Sequence, residues 1–215
     1  MSLHSALEKI VKTRGTEYIT GYFDRGISGA QFNSFRSDPE ASNRITLADL
    51  YSVNLLALNV PGAAGLAILG TDADRITDLL TQIPDRPLGT LEKPEFEKHL
   101  GPKSAAMDLW RLLRGKGRRE YDGMGPARVS KLMARKRPHL IPIRDSIVVR
   151  VAGFKDRDND WELWWQTLRE NEELESQAER LRQAAKQPEL STLRVFDILL
   201  WYHGKYGTDA KNSTL

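Results

Sequence analysis

The sequence predicts a mainly α-helical protein, and three observations support this fold class. Apolar residues recur at helical spacing in several segments, as at Leu3, Ala6, Leu7 and Ile10 near the start of the chain. Capping residues, glycines and prolines stand at the ends of these segments. No alternation of apolar and polar residues is long enough to require a large sheet. We therefore predict a helical bundle, which leaves room for a short strand pair near the N-terminus, where residues 16–23 are β-branched and aromatic.

The predicted helices follow in order along the chain. The first covers residues 3–13, and residues 26–43, rich in Gly, Ser and Asn, are predicted as a loop. Thr46, with Asp49 three residues later, marks the capped start of a helix that Pro61 ends. Further helices are predicted in residues 70–84, 101–117, 126–137, 159–171, 172–186 and 190–207. We expect one helical domain over 1–207, with room for two lobes and a cleft between them, and a flexible polar tail over 208–215.

The composition is that of an ordinary globular protein, and it excludes several classes. Of the 215 residues, 40% are hydrophobic and 28% are charged, and no apolar run approaches the roughly 18 residues that span a membrane. The opening MSLHSALEKI has charges where a secretory signal needs an apolar stretch. The absence of cysteine excludes disulfides, thiolate zinc sites and iron–sulfur clusters, and the four scattered histidines form no metal-ligand pattern. We expect a cytoplasmic monomer with no metal, no cofactor and no membrane partner.

Positive charge is concentrated in one stretch of the chain. Residues 111–150 contain 12 Lys and Arg against three acids, a net charge of +9, whereas the whole chain has +3, so the remainder carries a net −6. A basic block of this kind predicts a face that binds a polyanion such as a nucleic acid. The alternative is an ordinary solvated helix face.

Residues 123–138 read GMGPARVSKLMARKRP and begin with two glycines around one apolar residue. Such a turn, followed by an amphipathic helix, is typical of a helix-hairpin-helix motif, which we place at 119–137. The glycines permit positive φ and expose backbone N–H groups at the start of the next helix, where the helix dipole favours a phosphate. Arg128, Lys131 and Arg135 lie away from the apolar face and are predicted to flank a nucleic-acid backbone. A glycine turn between two unrelated helices is the alternative.

A second pattern follows the glycine turn. Residues 145–151 read DSIVVRV, and with the turn they resemble the helix-hairpin-helix DNA glycosylase superfamily, in which an LPGVG hairpin precedes a VDTHVxRV-like stretch. Gly123 and Gly125 match the hairpin glycines, and the gap to Asp145 agrees with the superfamily without an insertion. The stretch GPARVSKLMARKRPHLIPIRD also resembles an uncharacterised bacterial family, which supplies no activity of its own.

The glycosylase resemblance implies a role for each part of this stretch. Asp145 is then the catalytic carboxylate, which stabilises positive charge on the deoxyribose and orients or deprotonates the attacking water. The amides of Gly123 and Gly125 hold a phosphate, and the target base is flipped into a pocket. Arg144, beside the acid, is a further candidate for binding the DNA backbone.

The same resemblance bears on the base pocket and on strand cleavage. Tyr51 and Asn54 lie on a predicted helix that corresponds to one contributing residues near the lesion, and they are the candidates for the base pocket. Superfamily members that also cut the strand carry a Schiff-base lysine two positions after the second glycine, where this chain has Ala127. A lyase step is therefore not expected. The chain also departs from the pattern at Ile147, where the superfamily has histidine, and at Tyr121-Asp122 before the turn.

Together with the basic charge, the resemblance implies a monofunctional DNA glycosylase that hydrolyses the N-glycosidic bond of a damaged or modified base, with double-stranded DNA as the expected partner. Two alternatives stay open: a non-catalytic helix-hairpin-helix DNA-binding module, and a helical scaffold whose basic helix binds another acidic partner. Asp145 alone is equally suited to capping a helix, and the β-branched run after it to a strand. A glycosylase requires Asp145 at a concave pocket near the turn, whereas a binding module leaves it buried in a cap. We interpret Trp161, Trp164 and Trp165 as core rather than as a surface that stacks on bases.

Overall fold

The protein is helical throughout the part of the chain that is described. A computed structural model describes residues 2–154 and 160–207, and no strand occurs among them, which confirms the prediction of a mainly α fold. The α-helices are α1 (Leu3–Asp24), α2 (Leu47–Leu55), α3 (Gly62–Leu69), α4 (Ala73–Gln82), α5 (Lys93–Leu100), α6 (Ala105–Arg114), α7 (Pro126–Lys136), α8 (Ser146–Ala152), α9 (Trp161–Arg169), α10 (Glu173–Ala185) and α11 (Thr192–Tyr206). Short 3-10 helices lie at Ser28–Gln31, Pro39–Ala41, Leu88–Thr90 and Arg119–Tyr121.

The predicted strand pair near the N-terminus is wrong, because residues 16–23 belong to α1. Tyr18, Ile19 and Tyr22 are buried on this helix, which packs against α11. The ring centroids of Tyr18 and Tyr202 lie 5.1 Å apart. β-branched and aromatic residues disfavour a helix only slightly, and the burial of a whole helix face outweighs that local preference.

Two helices, α7 and α11, are buried along most of their length. α11 packs against α1, α8 and α10, and its buried residues include the charged side chains of Arg194 and Asp197. α7 packs against α2 and α6, and every residue from Val129 to Arg137 is buried. The tryptophans that the sequence places in the core are indeed buried, at Trp161, Trp164 and Trp165.

The start of α2 is capped as predicted, but its end is not where the sequence places it. The Asp49 N–H donates to Thr46 Oγ1 at 3.3 Å, and the Thr46 N–H donates to Asp49 Oδ2 at 2.9 Å, which forms a capping box. The helix ends at Leu55, and Pro61 is instead the N-cap of α3, a helix that the sequence patterns do not predict. Residues 208–215, predicted as a tail, lie outside the described residues. No described helix combines the length and the apolar character needed to cross a membrane.

The basic run of α7 is buried, and it holds the loop between α1 and α2. Arg135 donates to the backbone carbonyls of Phe32 and Phe35 at 2.7 and 2.6 Å. Its Nε lies 3.1 Å from one oxygen of Asp49, and Nζ of Lys136 lies 2.9 Å from the other. A single buried carboxylate therefore pairs with two buried cations, which a buried charge requires in order to be tolerated.

Arg137, directly after α7, is a third buried cation that binds backbone carbonyls. Its guanidinium donates to the carbonyls of Ser42 and Ile83 at 2.9 and 2.6 Å. These cations are already engaged by backbone carbonyls and a buried carboxylate, so the structure places Arg135 inside the protein rather than on an open face. The charge of residues 135–137 fixes the surrounding backbone, and the contact of Arg135 with a nucleic-acid backbone stays a prediction.

Candidate active site

Asp145 lies at the start of α8 and lines a cavity of about 500 Å³. Its Oδ1 accepts the backbone N–H of Ile147 at 3.0 Å, so Asp145 is the N-cap of α8. Its Oδ2 accepts a hydrogen bond from Nζ of Lys131 at 2.9 Å, and the side chain stays 18% exposed. The capping role and a position in a cavity therefore coexist in one residue. The alternative interpretation of the following run as a strand is wrong, because that run forms α8.

Lys131 is part of this cavity rather than of an outer surface. Its side chain is 1% exposed, and Nζ donates both to Asp145 and to the backbone carbonyl of Leu56, each at 2.9 Å. The sequence pattern places Lys131 away from the apolar face of α7, whereas the structure encloses it in the cavity; its contact with a DNA backbone stays a prediction. Lys131 lies one helical turn after Ala127, and both residues line the cavity. The chain thus has a lysine beside its candidate catalytic acid, although not at the position that the glycosylase resemblance uses.

The cavity walls come from segments that are distant in the sequence. They include Ile27–Gly29 after α1, residues 55–58 at and after the end of α2, and parts of α1 and α11. The rings of Tyr22 and Trp201 form an aromatic wall and meet edge to face at 5.7 Å. Ala57 has a φ of 60°, a left-handed conformation that costs a non-glycine residue about 1–2 kcal/mol. The volume falls in the range of roughly 300–1,000 Å³ that is typical of small-molecule sites, and strained backbone is concentrated at such sites.

A second ion pair faces the same cavity. Arg194 and Asp197 are 5% and 3% exposed, and they pair through NH1 of Arg194 and Oδ2 of Asp197. Burial raises the pKa of Asp197 to about 6, against the opposing effect of Arg194, and the charge of Asp145 adds to the increase. The site therefore combines apolar and aromatic walls with two buried ion pairs that influence each other electrostatically.

The glycine turn before α7 has the geometry expected of its first glycine but not of its second. Gly123 has a φ of +86°, whereas Gly125 has a φ of −74° and is the N-cap of α7. The Gly125 N–H donates to the Gly123 carbonyl at 2.8 Å, so that amide is already occupied. Among the described residues, no hydrogen bond engages the N–H groups of Gly123 and Ala127. Arg128 is half-buried and donates to the carbonyls of Asn59 and Gly123 at 2.7 and 2.9 Å, which ties the turn to the chain before α3.

The two glycines should respond differently to alanine. We expect Gly123→Ala to lower the free energy of unfolding by about 1–2 kcal/mol, because alanine resists positive φ, and its Cβ would lie 3.2 Å from Cγ of Pro61. Gly125→Ala is the matched control, since no atom lies within 4 Å of its added Cβ and its φ is negative. The gain from a less flexible unfolded chain is offset by the loss of glycine's N-cap preference over alanine, so the net change should be smaller than that of Gly123→Ala. Urea denaturation of both variants measures this, and equal losses would contradict the assignment of strain to Gly123.

Three other predicted site residues do not line the cavity of Asp145. Arg144 directs Nε to Asp160 at 2.9 Å, and its side chain is 16% exposed, so its charge is already paired. Tyr51 is 52% exposed on α2, and its ring lies 5.0 Å from that of Phe35. Asn54 is exposed on the same helix. Neither Tyr51 nor Asn54 lines the cavity of Asp145, whose wall comes instead from the loop that follows them. Their role in a base pocket stays a prediction.

A larger groove of about 830 Å³ lies elsewhere, walled by residues 87–92, 168–175 and 188–193 among others. None of the site residues predicted from the sequence, all of which are described, lines it. We therefore place the candidate active site at Asp145, where a carboxylate, a lysine and an aromatic wall meet. Within residues 2–154 and 160–207, no group of three or more His, Asp and Glu stands where it could hold a metal ion.

The sequence patterns do not single out Arg194, Asp197 or Trp201 as site residues. A signal for the first two is nevertheless present, because they are the charged residues within the otherwise apolar stretch LSTLRVFDILLWY. Opposite charges three residues apart on one apolar helix indicate a pair that is buried together. Their position in a cavity depends on α1 and on the loop after α2, which no local pattern reveals.

Comparison with known proteins gives a family but no activity. No curated protein and no solved structure matches the chain. A family model does match, and it covers residues 15–204, which include Asp145, Lys131 and the pair of Arg194 and Asp197. The match agrees with the resemblance of the α7 stretch to an uncharacterised family. Because the match covers most of the chain, the protein belongs to the family of unknown function DUF6308.

Proposed function

We propose that the protein hydrolyses the N-glycosidic bond of a damaged or modified base in double-stranded DNA and leaves an abasic site, without cutting the strand. The observation that carries the proposal is the position of Asp145 in a cavity of about 500 Å³, at the start of α8, the helix after the one that the glycine turn begins. A cavity of this size accommodates a base that is turned out of the duplex. The aromatic wall of Tyr22 and Trp201 suits such a planar ring.

The chemistry assigned to Asp145 is that of a carboxylate in sugar hydrolysis. As the bond between C1′ and the base nitrogen lengthens, positive charge develops on the deoxyribose, and the carboxylate stabilises it. The oxygen of a water molecule forms the new bond to C1′, and the base leaves with one proton, so that one water is consumed. Lys131 and the Ile147 N–H hold the two carboxylate oxygens in place for this step.

Lys131 has no covalent role in this proposal. Its Nζ is engaged by Asp145 and by the carbonyl of Leu56, whereas a Schiff base requires a free neutral amine. The position where the resemblance places a nucleophilic lysine is Ala127. The proposed product is therefore an abasic site in an intact strand.

The contacts assigned to the DNA backbone differ from those that the sequence alone predicts. The basic run of α7 is buried, which leaves the Gly123 and Ala127 amides at the start of that helix for a phosphate. Lys205 is exposed and also lines the cavity, so it adds positive charge beside the opening. A non-catalytic module remains the alternative function, and the cavity beside Asp145 counts against it, because such a module needs only a buried cap.

Incubation of the protein with duplexes that each carry one damaged or modified base tests the proposal. We expect strands that stay intact under neutral conditions and break at the modified position after alkali, because an abasic site is alkali-labile. Borohydride added during the reaction should trap no covalent adduct, since no Schiff base forms. Binding to every duplex without product would favour the non-catalytic module, and an adduct would overturn the absence of a lyase step.

A further inference from the structure

Asp197 is a second carboxylate in the cavity of Asp145, and the chemistry assigned to Asp145 does not use it. It lies on α11, is 3% exposed and lines the same cavity of about 500 Å³. The charge of Asp145 contributes to the raised pKa of Asp197, so the two carboxylates lie close enough to interact electrostatically. Two carboxylates with different surroundings in one site are the usual arrangement for dividing the acid and base roles of sugar hydrolysis.

The two carboxylates differ in how their oxygens are held. Both oxygens of Asp145 accept hydrogen bonds, one from Nζ of Lys131 and the other from the Ile147 N–H. Asp197 accepts through Oδ2 from NH1 of Arg194, and among the described residues no hydrogen bond reaches its Oδ1. A proton on Oδ1 therefore leaves the contact with Arg194 intact, because the other oxygen of a carboxylic acid still accepts.

The surroundings of Asp197 keep part of its population protonated near neutral pH. The charged and titratable groups around it come from several helices: Arg194 and Lys205 of α11, Tyr22 of α1, Lys131 of α7 and Asp145 at the start of α8. Burial raises the pKa of Asp197 to about 6, and Asp145 adds to the increase, whereas Arg194 and Lys131 oppose it. Once Asp197 has lost its proton, the adjacent guanidinium stabilises the carboxylate that results.

We propose that Asp197 is a second catalytic residue, the general acid that donates a proton from Oδ1 to the base as it leaves the sugar. The inference rests on the proposed function. The bond between C1′ and the base nitrogen breaks, its electron pair goes to the base, and the proton of Asp197 neutralises the charge there. The water that bonds to C1′ loses a proton through Asp145 to solvent, and solvent protonates Asp197 again, so that one water is consumed.

A proton donor in the cavity indicates which class of base is released. A neutral base leaves slowly as an anion, and protonation removes that obstacle. A base that already carries a positive charge, such as 7-methylguanine, leaves as a neutral molecule and gains nothing from a donor. Every nucleobase has ring nitrogens or carbonyl oxygens with lone pairs, so the role does not require one orientation of the base. The substrates that this inference names are therefore neutral bases.

The dependence of base release on pH tests the role of Asp197. Single-turnover rates are measured with excess protein and alkali cleavage, on each duplex of the panel from which a base is released. We expect the wild-type rate to fall about tenfold per pH unit above about 6, as Asp197 loses its proton. A rate that stays constant or rises across this range overturns the inference while the proposed function stands. Release of no base from any duplex removes the proposed function and this inference with it.

A variant and two pairs of bases separate proton donation from folding. Asp197→Asn has no acidic proton, so release of hypoxanthine should fall about 10²–10⁴-fold and lose its dependence on pH, whereas release of 7-methylguanine should fall less than about tenfold. Uracil and 5-fluorouracil, whose anion is the more stable, should diverge in the same direction. The ratio of two rates in one preparation does not depend on the folded fraction, which matters because the variant leaves Arg194 without its carboxylate.

Asp108→Asn is the matched control, because it makes the same change at an exposed site. It should keep the wild-type dependence on pH and the wild-type ratios of rates. Equal losses for both members of a pair in Asp197→Asn would show that Asp197 supports the shape of the cavity and donates no proton, and would overturn the inference. Selective loss of the neutral or less activated base supports it.

Discussion

Asp145→Asn should lower the single-turnover rate of base release by roughly 10²–10⁴-fold, the range for loss of a positioned acid or base, while the affinity for the intact duplex is retained. Asparagine keeps the size of the side chain and is as good an N-cap as aspartate, so the start of α8 should survive. What is lost is the negative charge that faces the developing charge on the sugar. Quenched-flow sampling followed by alkali measures the rate, and fluorescence anisotropy measures the affinity.

A companion variant separates chemistry from folding. Asp145→Asn leaves the Lys131 ammonium, 1% exposed, without its carboxylate, and an unpaired buried charge destabilises the protein. The double variant Lys131→Met/Asp145→Asn removes both charges and should recover stability without recovering activity. If folded Asp145→Asn released base within about tenfold of the wild-type rate, Asp145 would be a cap and not a catalytic residue.

The features that the sequence predicts well are those determined by local pattern. The capping box of Thr46 and Asp49 is reproduced, as is the positive φ of Gly123. The N-cap of α8 at Asp145 is also reproduced, because capping depends on a side chain and an amide two or three residues later. The strand predicted near residue 20 is wrong because the structure there depends on a distant part of the chain. These residues form a helix that packs against α11, about 180 residues later.

The burial of the basic run of α7 cannot be predicted from the local sequence. A sequence of lysines and arginines has the same composition whether it is solvated, bound to DNA or buried. The partners that decide the matter here are Asp49 and the carbonyls of the loop between α1 and α2, and they precede Arg135 by about 85–105 residues. Because these side chains are buried, the positive charge of α7 holds the loop between α1 and α2 in place and is not exposed to solvent. The cavity walls are equally non-local, which is why the sequence singles out Asp145 but not the residues that surround it.

Asp49→Asn should lower the free energy of unfolding by about 3–5 kcal/mol, the cost of removing one partner from a buried ionic cluster. Asp49 is 4% exposed and lies within 3.1 Å of both Arg135 and Lys136, so the variant leaves two buried cations without a carboxylate. This loss is a large fraction of the roughly 5–15 kcal/mol that stabilises a typical domain. Urea denaturation followed by tryptophan fluorescence measures the change.

Asp108→Asn is the control for the Asp49 variant, because it removes a carboxylate that pairs with Arg111 on the surface and is 50% exposed. Exposed pairs contribute about 0–1 kcal/mol, so this variant should unfold close to the wild-type midpoint. A loss in Asp49→Asn as small as the one expected for Asp108→Asn would show that the buried cluster does not stabilise the fold. The loop that the cluster holds also supplies Ile27–Gly29 to the cavity wall. Asp49→Asn should therefore weaken base binding even at urea concentrations where the protein stays folded, whereas Asp108→Asn should not. That difference would connect the buried charge of α7 to the shape of the cavity of Asp145.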